Sequence, residues 1–141
     1  GTKITAYGVT QRLVSTSNSA GGTGPSLKCN GELSKINSKV GLITADELAF
    51  AGYAYNIGNT TTYLQENATD TDWWSLSPGF FRGDEYLRVA EYYVFIWDVN
   101  NGTLSYDYSG SGMGLRPAIS LVSTTTISRG TGTSEDPYVV N

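Results

Sequence analysis

Apolar positions along this chain fall into short alternating stretches separated by long polar ones, and one stretch alone carries a clear helical signature. The clearest alternation runs through Phe95, Trp97 and Val99 and then, past Asn101-Gly102, through Leu104, Tyr106 and Tyr108. Asn-Gly is a preferred centre for a two-residue hairpin turn, because both residues tolerate positive φ. A turn there pairs Val99 with Leu104, Trp97 with Tyr106 and Phe95 with Tyr108, and puts these side chains on one face. Aromatic cross-strand pairs add roughly 0.2–1 kcal/mol each over Ala pairs. The opposite face holds Ile96, Asp98, Ser105 and Asp107, a mixture suited to solvent or to a ligand.

The helix is announced by Thr44-Ala45-Asp46-Glu47. The Thr44 hydroxyl is placed to accept from the Glu47 backbone while the Glu47 carboxylate returns to the Thr44 N–H, a capping box. Asp46 and Glu47 also complement the helix dipole in the first turn. Leu48, Ala51 and Ala45 fall toward one face, and Gly52 supplies a stop. The helix is short and needs packing to hold it.

Elsewhere the pattern predicts strands and loops. Ile4, Ala6 and Val9, with Tyr7 and Leu13, read as one or two opening strands, and Ser15 to Pro25 reads as an exposed loop. Val40 to Ile43 forms a short apolar run. Tyr53, Tyr55, Tyr63 and Leu64 are expected anchors, with a short helix or strand around Thr62 to Gln65. Trp73 to Ser77 reads as a strand ended by the turn pair Pro78-Gly79. Leu115 to Val122 reads as a further strand, with Pro117 at an edge or start. Both of these last segments are expected inside the domain. Residues 123–141 read as a closing β-hairpin, and residues 1–141 as a single domain.

Composition narrows the function. The chain has 141 residues, a charged fraction of 16% and 17 glycines, which suits a loop-rich, mostly β, α+β fold. A net charge of -4 with nine basic residues leaves no electrostatic footprint for nucleic acid. No apolar window reaches the ~18 residues of a membrane-spanning helix, and Gly1-Thr2-Lys3 does not start a signal peptide, so a mature or trimmed soluble piece is expected. Cys29 is the single cysteine and histidine is absent, which removes a structural zinc site, Ser-His-Asp and Cys-His nucleophile systems and the usual general base. Cys29 reads as a small semi-buried apolar residue or as the partner of a cysteine elsewhere. Paired acids such as Asp84 with Glu85, or Glu91 with Asp98, are the remaining route to hydrolysis, and none stands out from ordinary surface acids. Asp98-Val99-Asn100-Asn101-Gly102 and Asp70-Thr71-Asp72 read as a turn and a solvated loop, not as calcium sites. No cofactor or metal is expected.

Four blocks carry a family resemblance: Gly41-Leu42-Ile43-Thr44-Ala45-Asp46-Glu47-Leu48-Ala49-Phe50-Ala51-Gly52, Trp73-Trp74-Ser75-Leu76-Ser77-Pro78, Gly114-Leu115-Arg116-Pro117-Ala118-Ile119-Ser120-Leu121 and Gly132-Thr133-Ser134-Glu135-Asp136-Pro137-Tyr138. In this order they resemble a domain of secreted and surface proteins of Gram-positive gut bacteria, over Leu27 to the C-terminus. More distantly, the Thr-x-x-Glu helix entry, the Trp-rich strand and the Gly-x-Arg-Pro strand resemble the C-type-lectin-like fold that includes formylglycine-generating enzymes. The resemblance implies a C-type-lectin-like domain with one clear short helix, a small twisted antiparallel sheet and long loops that present the binding surface. Formylglycine-generating members use a cysteine pair with copper, so that activity is expected to be absent here.

The expected role is a non-catalytic extracellular binding or adhesion module, secreted or attached to the cell surface, whose partner is a host or bacterial surface glycan or protein. A structural tip domain of a pilus or filament, or a phage receptor-binding domain, is the alternative. Candidate ligand-binding residues are Phe81, Arg82, Tyr86, Tyr92, Tyr93, Asp98, Asn100, Asn101, Asp107 and Tyr108. They combine rigid aromatic with adaptable polar groups, as recognition surfaces do. Arg116 is expected to be a semi-buried clamp paired with Glu47 or Asp46, or else a receptor for a carboxylate. Trp73, Trp74 and Trp97 are expected mostly in the core.

Overall fold

The computed structural model describes residues 3–28, 37–58, 62–66, 72–84, 91–133 and 135–141. Its elements in chain order are β1 (Lys3–Ala6), α1 (Gly8–Leu13), β2 (Gly41–Leu42), α2 (Ala45–Phe50), α3 (Tyr63–Glu66), β3 (Asp72–Asp84), β4 (Glu91–Asn100), β5 (Thr103–Tyr108), β6 (Pro117–Ala118), β7 (Ile127–Arg129) and β8 (Val139–Val140). Strands β1-β3-β4-β5 form a four-stranded antiparallel sheet in that order. The chain is mostly β, with a curled sheet and few short helices.

The hairpin organises the sheet. Asn101 and Gly102 both take positive φ, 45° and 78°, and the register pairs Val99 with Leu104, Trp97 with Tyr106 and Phe95 with Tyr108 as the alternation predicts. Trp97, Val99 and Leu104 are buried, and with Trp73 they form the sheet side of the core. Helices α1 and α2 supply Val9, Leu13, Ala45 and Leu48 to the other side, and Tyr53 and Tyr55 close the cluster.

Helix α2 forms as its signals require. Both halves of the capping box are present at Thr44 and Glu47. Gly52 at φ 102° ends it, with Gly52 N–H donating to Ala49 C=O and Tyr53 N–H to Leu48 C=O, a Schellman arrangement. Helix α1 corrects the expected second opening strand. Val9 and Leu13 share a face in either conformation, so spacing could not separate them; the helix is set by docking against β3 and α2. Loop 15–28 then turns back on α1, where Gly24 N–H donates to Arg12 C=O and Gly21 N–H to Leu13 C=O, satisfying carbonyls that a helix end leaves open. Residues 63–66 resolve the other ambiguity as helix.

Pro78-Gly79 does not end its strand. β3 continues to Asp84, and register shifts between Trp74 and Pro78 and between Pro78 and Phe80 absorb the residue that has no N–H. A Cβ on Gly79 would lie 3.2 Å from the Phe95 carbonyl oxygen, so glycine permits the close strand approach there. Within the irregular stretch, buried Ser77 accepts from Ala45 N–H and Leu76 N–H donates to Ile43 C=O, which ties β3 to the start of α2.

Leu115 to Val122 is not an interior strand. Only Pro117 and Ala118 pair, with Leu42 and Gly41 respectively, while Leu115, Ile119, Leu121 and Val122 are exposed. The closing hairpin is present as β7 and β8, with Ile127 opposite Val140 and Arg129 opposite Val139. Tyr53 and Tyr55 are core anchors, Leu64 packs on the core and Tyr63 is exposed. No helix among the described residues is long and apolar enough to cross a membrane. Cys29 and Tyr86 lie outside the described residues.

Candidate functional site

The sheet face that forms the core continues past the core cluster. From Trp97, rings follow one another without a gap. Tyr106 meets Trp97 edge-on at 5.6 Å and stacks on Tyr55 at 5.4 Å, while Phe95 and Phe80 stack at 4.2 Å with 18° between their planes. Phe80 and Phe95 both meet Tyr106 edge-on. Tyr108 lies 4.5 Å from Phe95, and Tyr93 lies 5.1 Å from Tyr108. Burial falls along this series, from Trp97 at 0% exposure to Tyr108 at 43%.

Two features fix the geometry of this strip. Phe80 faces Phe95 in register because the bulge at Pro78-Gly79 shifts β3 against β4, and Ala6 of β1 pairs with Phe80. The Tyr55 and Tyr106 hydroxyls are hydrogen-bonded to each other at 2.8 Å. Burial first, and then the Tyr55 hydroxyl, push the Tyr106 phenol up to about 12. Ring-on-ring packing adds roughly 0.5–1.5 kcal/mol per pair beyond area burial, so the exposed rings are held by those beneath them. Arg82 pairs in register with Tyr93 on β4 and with Ile4 on β1.

The candidates named from the sequence divide between places. Arg82, Tyr93 and Tyr108 come together at the open end of the aromatic face. Tyr92 pairs in register with Gly83; Phe81, opposite Val94, is one residue out of phase with Arg82 and so on the reverse face. Asn100 and Asn101 are exposed at the hairpin tip, and seven residues of strand separate Asn100 from Tyr93, about 23 Å. They cannot share a contact with the aromatic end. Tyr86 lies outside the described residues. Phe80 and Phe95 belong to the strip but were absent from the candidates; Phe80 is hidden by the bulge, which breaks the period-two reading of β3.

Asp98 also corrects an expectation. It lies on the reverse face, yet it is 1% exposed, and neither carboxylate oxygen has a hydrogen-bond partner among the described residues. Its register partners are Trp74 on β3 and Ser105 on β5. Burial, then the charges of Asp107 and Asp72, raise its pKa to about 7. Asp72 Oδ1 accepts from Asn101 N–H at 3.0 Å, and Asp107 Oδ1 accepts from Tyr108 N–H at 2.6 Å. Among the described residues no group of three or more His, Cys, Asp or Glu is placed to hold a metal ion.

The expected clamp is replaced by a different pair. Arg12 donates from Nε to Asp46 Oδ1 at 3.2 Å and from Nη2 to Oδ2 at 2.6 Å, and Ser26 N–H also donates to Asp46 Oδ1. Glu47 is used by the capping box. Arg116 instead donates to the Leu64 carbonyl, with its guanidinium carbon 5.0 Å from the centre of the Trp73 ring. Asp46 faces α1, so the arginine that reaches it comes from α1.

A pocket of about 150 Å³ lies between loop 15–28 and the ends of α1 and α2, lined by Leu13, Pro25, Ala49, Tyr53, Tyr55 and Leu104. It is apolar and has no charged group to orient a ligand. Comparison of the chain with protein-family models, curated proteins and solved structures finds no match.

Proposed function

We propose that this chain is a non-catalytic recognition module that binds a glycan or protein through the open end of its aromatic face. The observation that carries the reading is the continuous ring series from buried Trp97 to half-exposed Tyr108. Rings held in place before binding lose little conformational freedom on contact, and tyrosine offers a flat apolar body with a polar tip. Such a surface suits the apolar face of a sugar ring or a side chain of a partner protein. The module acts outside the cell, secreted or attached to the surface of a Gram-positive bacterium, in a C-type-lectin-like setting, without catalysis or a cofactor.

Three of the four sequence blocks meet in the fold. Gly41 and Leu42 pair with Ala118 and Pro117, Trp74 N–H donates to Gly114 C=O, Leu76 N–H donates to Ile43 C=O, and Arg116 covers Trp73. Segments distant in sequence thus build one scaffold, and the aromatic strip extends from it.

The test is binding to a glycan array and to extracellular-matrix and mucin proteins by the intact chain, compared with Tyr108→Ala and Tyr93→Ala. Loss of a wild-type signal in either variant, with unchanged far-UV circular dichroism, supports the reading. A ligand that both variants hold as tightly as wild type overturns it. A second reading, a structural tip domain of a filament, is favoured by the exposed Ile119, Leu121, Val122, Ile127, Tyr138 and Val140; concentration-dependent assembly abolished by Leu121→Asp with Val122→Asp would support that reading instead.

A further inference from the structure

Among the described residues two carboxylates are buried, Asp46 and Asp98, and their surroundings differ. Asp46 has the Arg12 guanidinium and the Ser26 N–H. Asp98 has no hydrogen-bond partner for either oxygen among the described residues. An ionised carboxylate in such a place carries a large desolvation cost that nothing offsets.

The neighbours of Asp98 deepen the problem. On β3, Trp74 is opposite and Asp72 lies on the same face two residues away; on β5, Ser105 is opposite and Asp107 is two residues along. Trp74 and Ser105 bring no charge, while Asp72 and Asp107 bring negative charge, and both raise the affinity of Asp98 for a proton. Each of those two acids already commits an oxygen to a backbone N–H, and no described group of acids is arranged around a metal. A proton is the neutralising species that the geometry accommodates.

We propose that Asp98 is a proton-operated latch on the β4–β5 hairpin. With the carboxyl protonated, β4 and β5 lie closed over their outer face; with the carboxylate formed, that face opens to admit water. The place of Asp98 gives the latch its reach. Its chain neighbours Trp97 and Val99 point to the other side and are core residues, and the same two strands carry Phe95 and Tyr108 of the aromatic strip. Ionisation at Asp98 therefore loosens the strands that hold those rings. The latch does not depend on what the strip binds.

The sign follows from proton counting. The ordinary value is 3.8 and the folded value is about 7, so between them the folded state holds a proton that the unfolded state has released. Stability from this group is complete below the ordinary value and is lost as pH rises through the folded one. The experiment is urea unfolding of the intact chain and of Asp98→Asn, followed by Trp fluorescence at a series of pH values. The wild-type unfolding constant should rise by roughly 10- to 100-fold between about pH 5 and about pH 8, and the Asn variant should lose most of that rise. A carboxyl-carbon NMR titration of the wild-type protein is the second measurement, needed because the variant has to fold; Asp98 should titrate near neutrality. Wild-type stability flat across this range, an unchanged slope in Asp98→Asn, or titration of Asp98 in the ordinary carboxylate range would each overturn the latch.

Discussion

The indole N–H of Trp97 donates to the Thr10 hydroxyl at 3.0 Å, and that hydroxyl in turn donates to the Gly79 carbonyl at 2.5 Å. One threonine on α1 thereby satisfies the most buried indole of β4 and a carbonyl at the β3 bulge. Thr10→Val preserves shape and removes the hydroxyl, leaving the buried Trp97 indole N–H unpaired while the Gly79 carbonyl keeps the Tyr7 N–H. It should lower stability by about 1–3 kcal/mol in urea unfolding, with Thr10→Ser recovering most of the loss.

The two arginine contacts should separate cleanly. Arg12→Met leaves the Asp46 carboxylate buried with only a backbone donor; because Arg12 is 22% exposed, its loss should cost less than removal of a fully buried partner, about 2–3 kcal/mol. Arg116→Leu loses a cation–π contact and a bond to Leu64 C=O but strands no carboxylate, and should cost about 1 kcal/mol. Paired thermal and urea melts measure the difference. An Arg116 variant that proved the more damaging would contradict the assignment of the ion pair to α1.

Gly79→Ala tests the bulge. The added methyl would meet the Phe95 carbonyl oxygen at 3.2 Å, and that carbonyl belongs to a central strand that cannot yield alone. Stability should fall by about 1–3 kcal/mol, and the Phe80–Phe95 stack should loosen, visible as a changed near-UV circular dichroism band.

Alkaline pH tests the link between Tyr55 and Tyr106. The Tyr106 phenol is raised from 10.0 to about 12, so over that range the folded state keeps a proton that the unfolded state loses. Stability should fall as pH rises through this window. Tyr106→Phe should flatten that part of the curve, read by urea midpoints.

What was legible in the sequence is what depends on near neighbours. The capping box at Thr44, the stop at Gly52 and the register set by Asn101-Gly102 each involve groups a few residues or one turn apart, so the chain's local chemistry decides them. The tight alternation of Phe95, Trp97 and Val99 likewise announced the core face of β4. Where an outcome rests on a partner far along the chain, the tertiary structure decided it. Val9 and Leu13 suit a strand or a helix until α1 docks on β3. β3 passes through Pro78 because β4 receives it with a shifted register. Arg116 and Arg12 are equivalent as charges, and only their positions around α2 assign Asp46 to Arg12. Asp98 looks like a polar residue on an open hairpin face, and its burial without a partner arises only when the sheet is assembled. The aromatic strip has both origins: its β4 and β5 members follow from alternation, while Phe80 joins them because a bulge that lacks a sequence period brings β3 into phase.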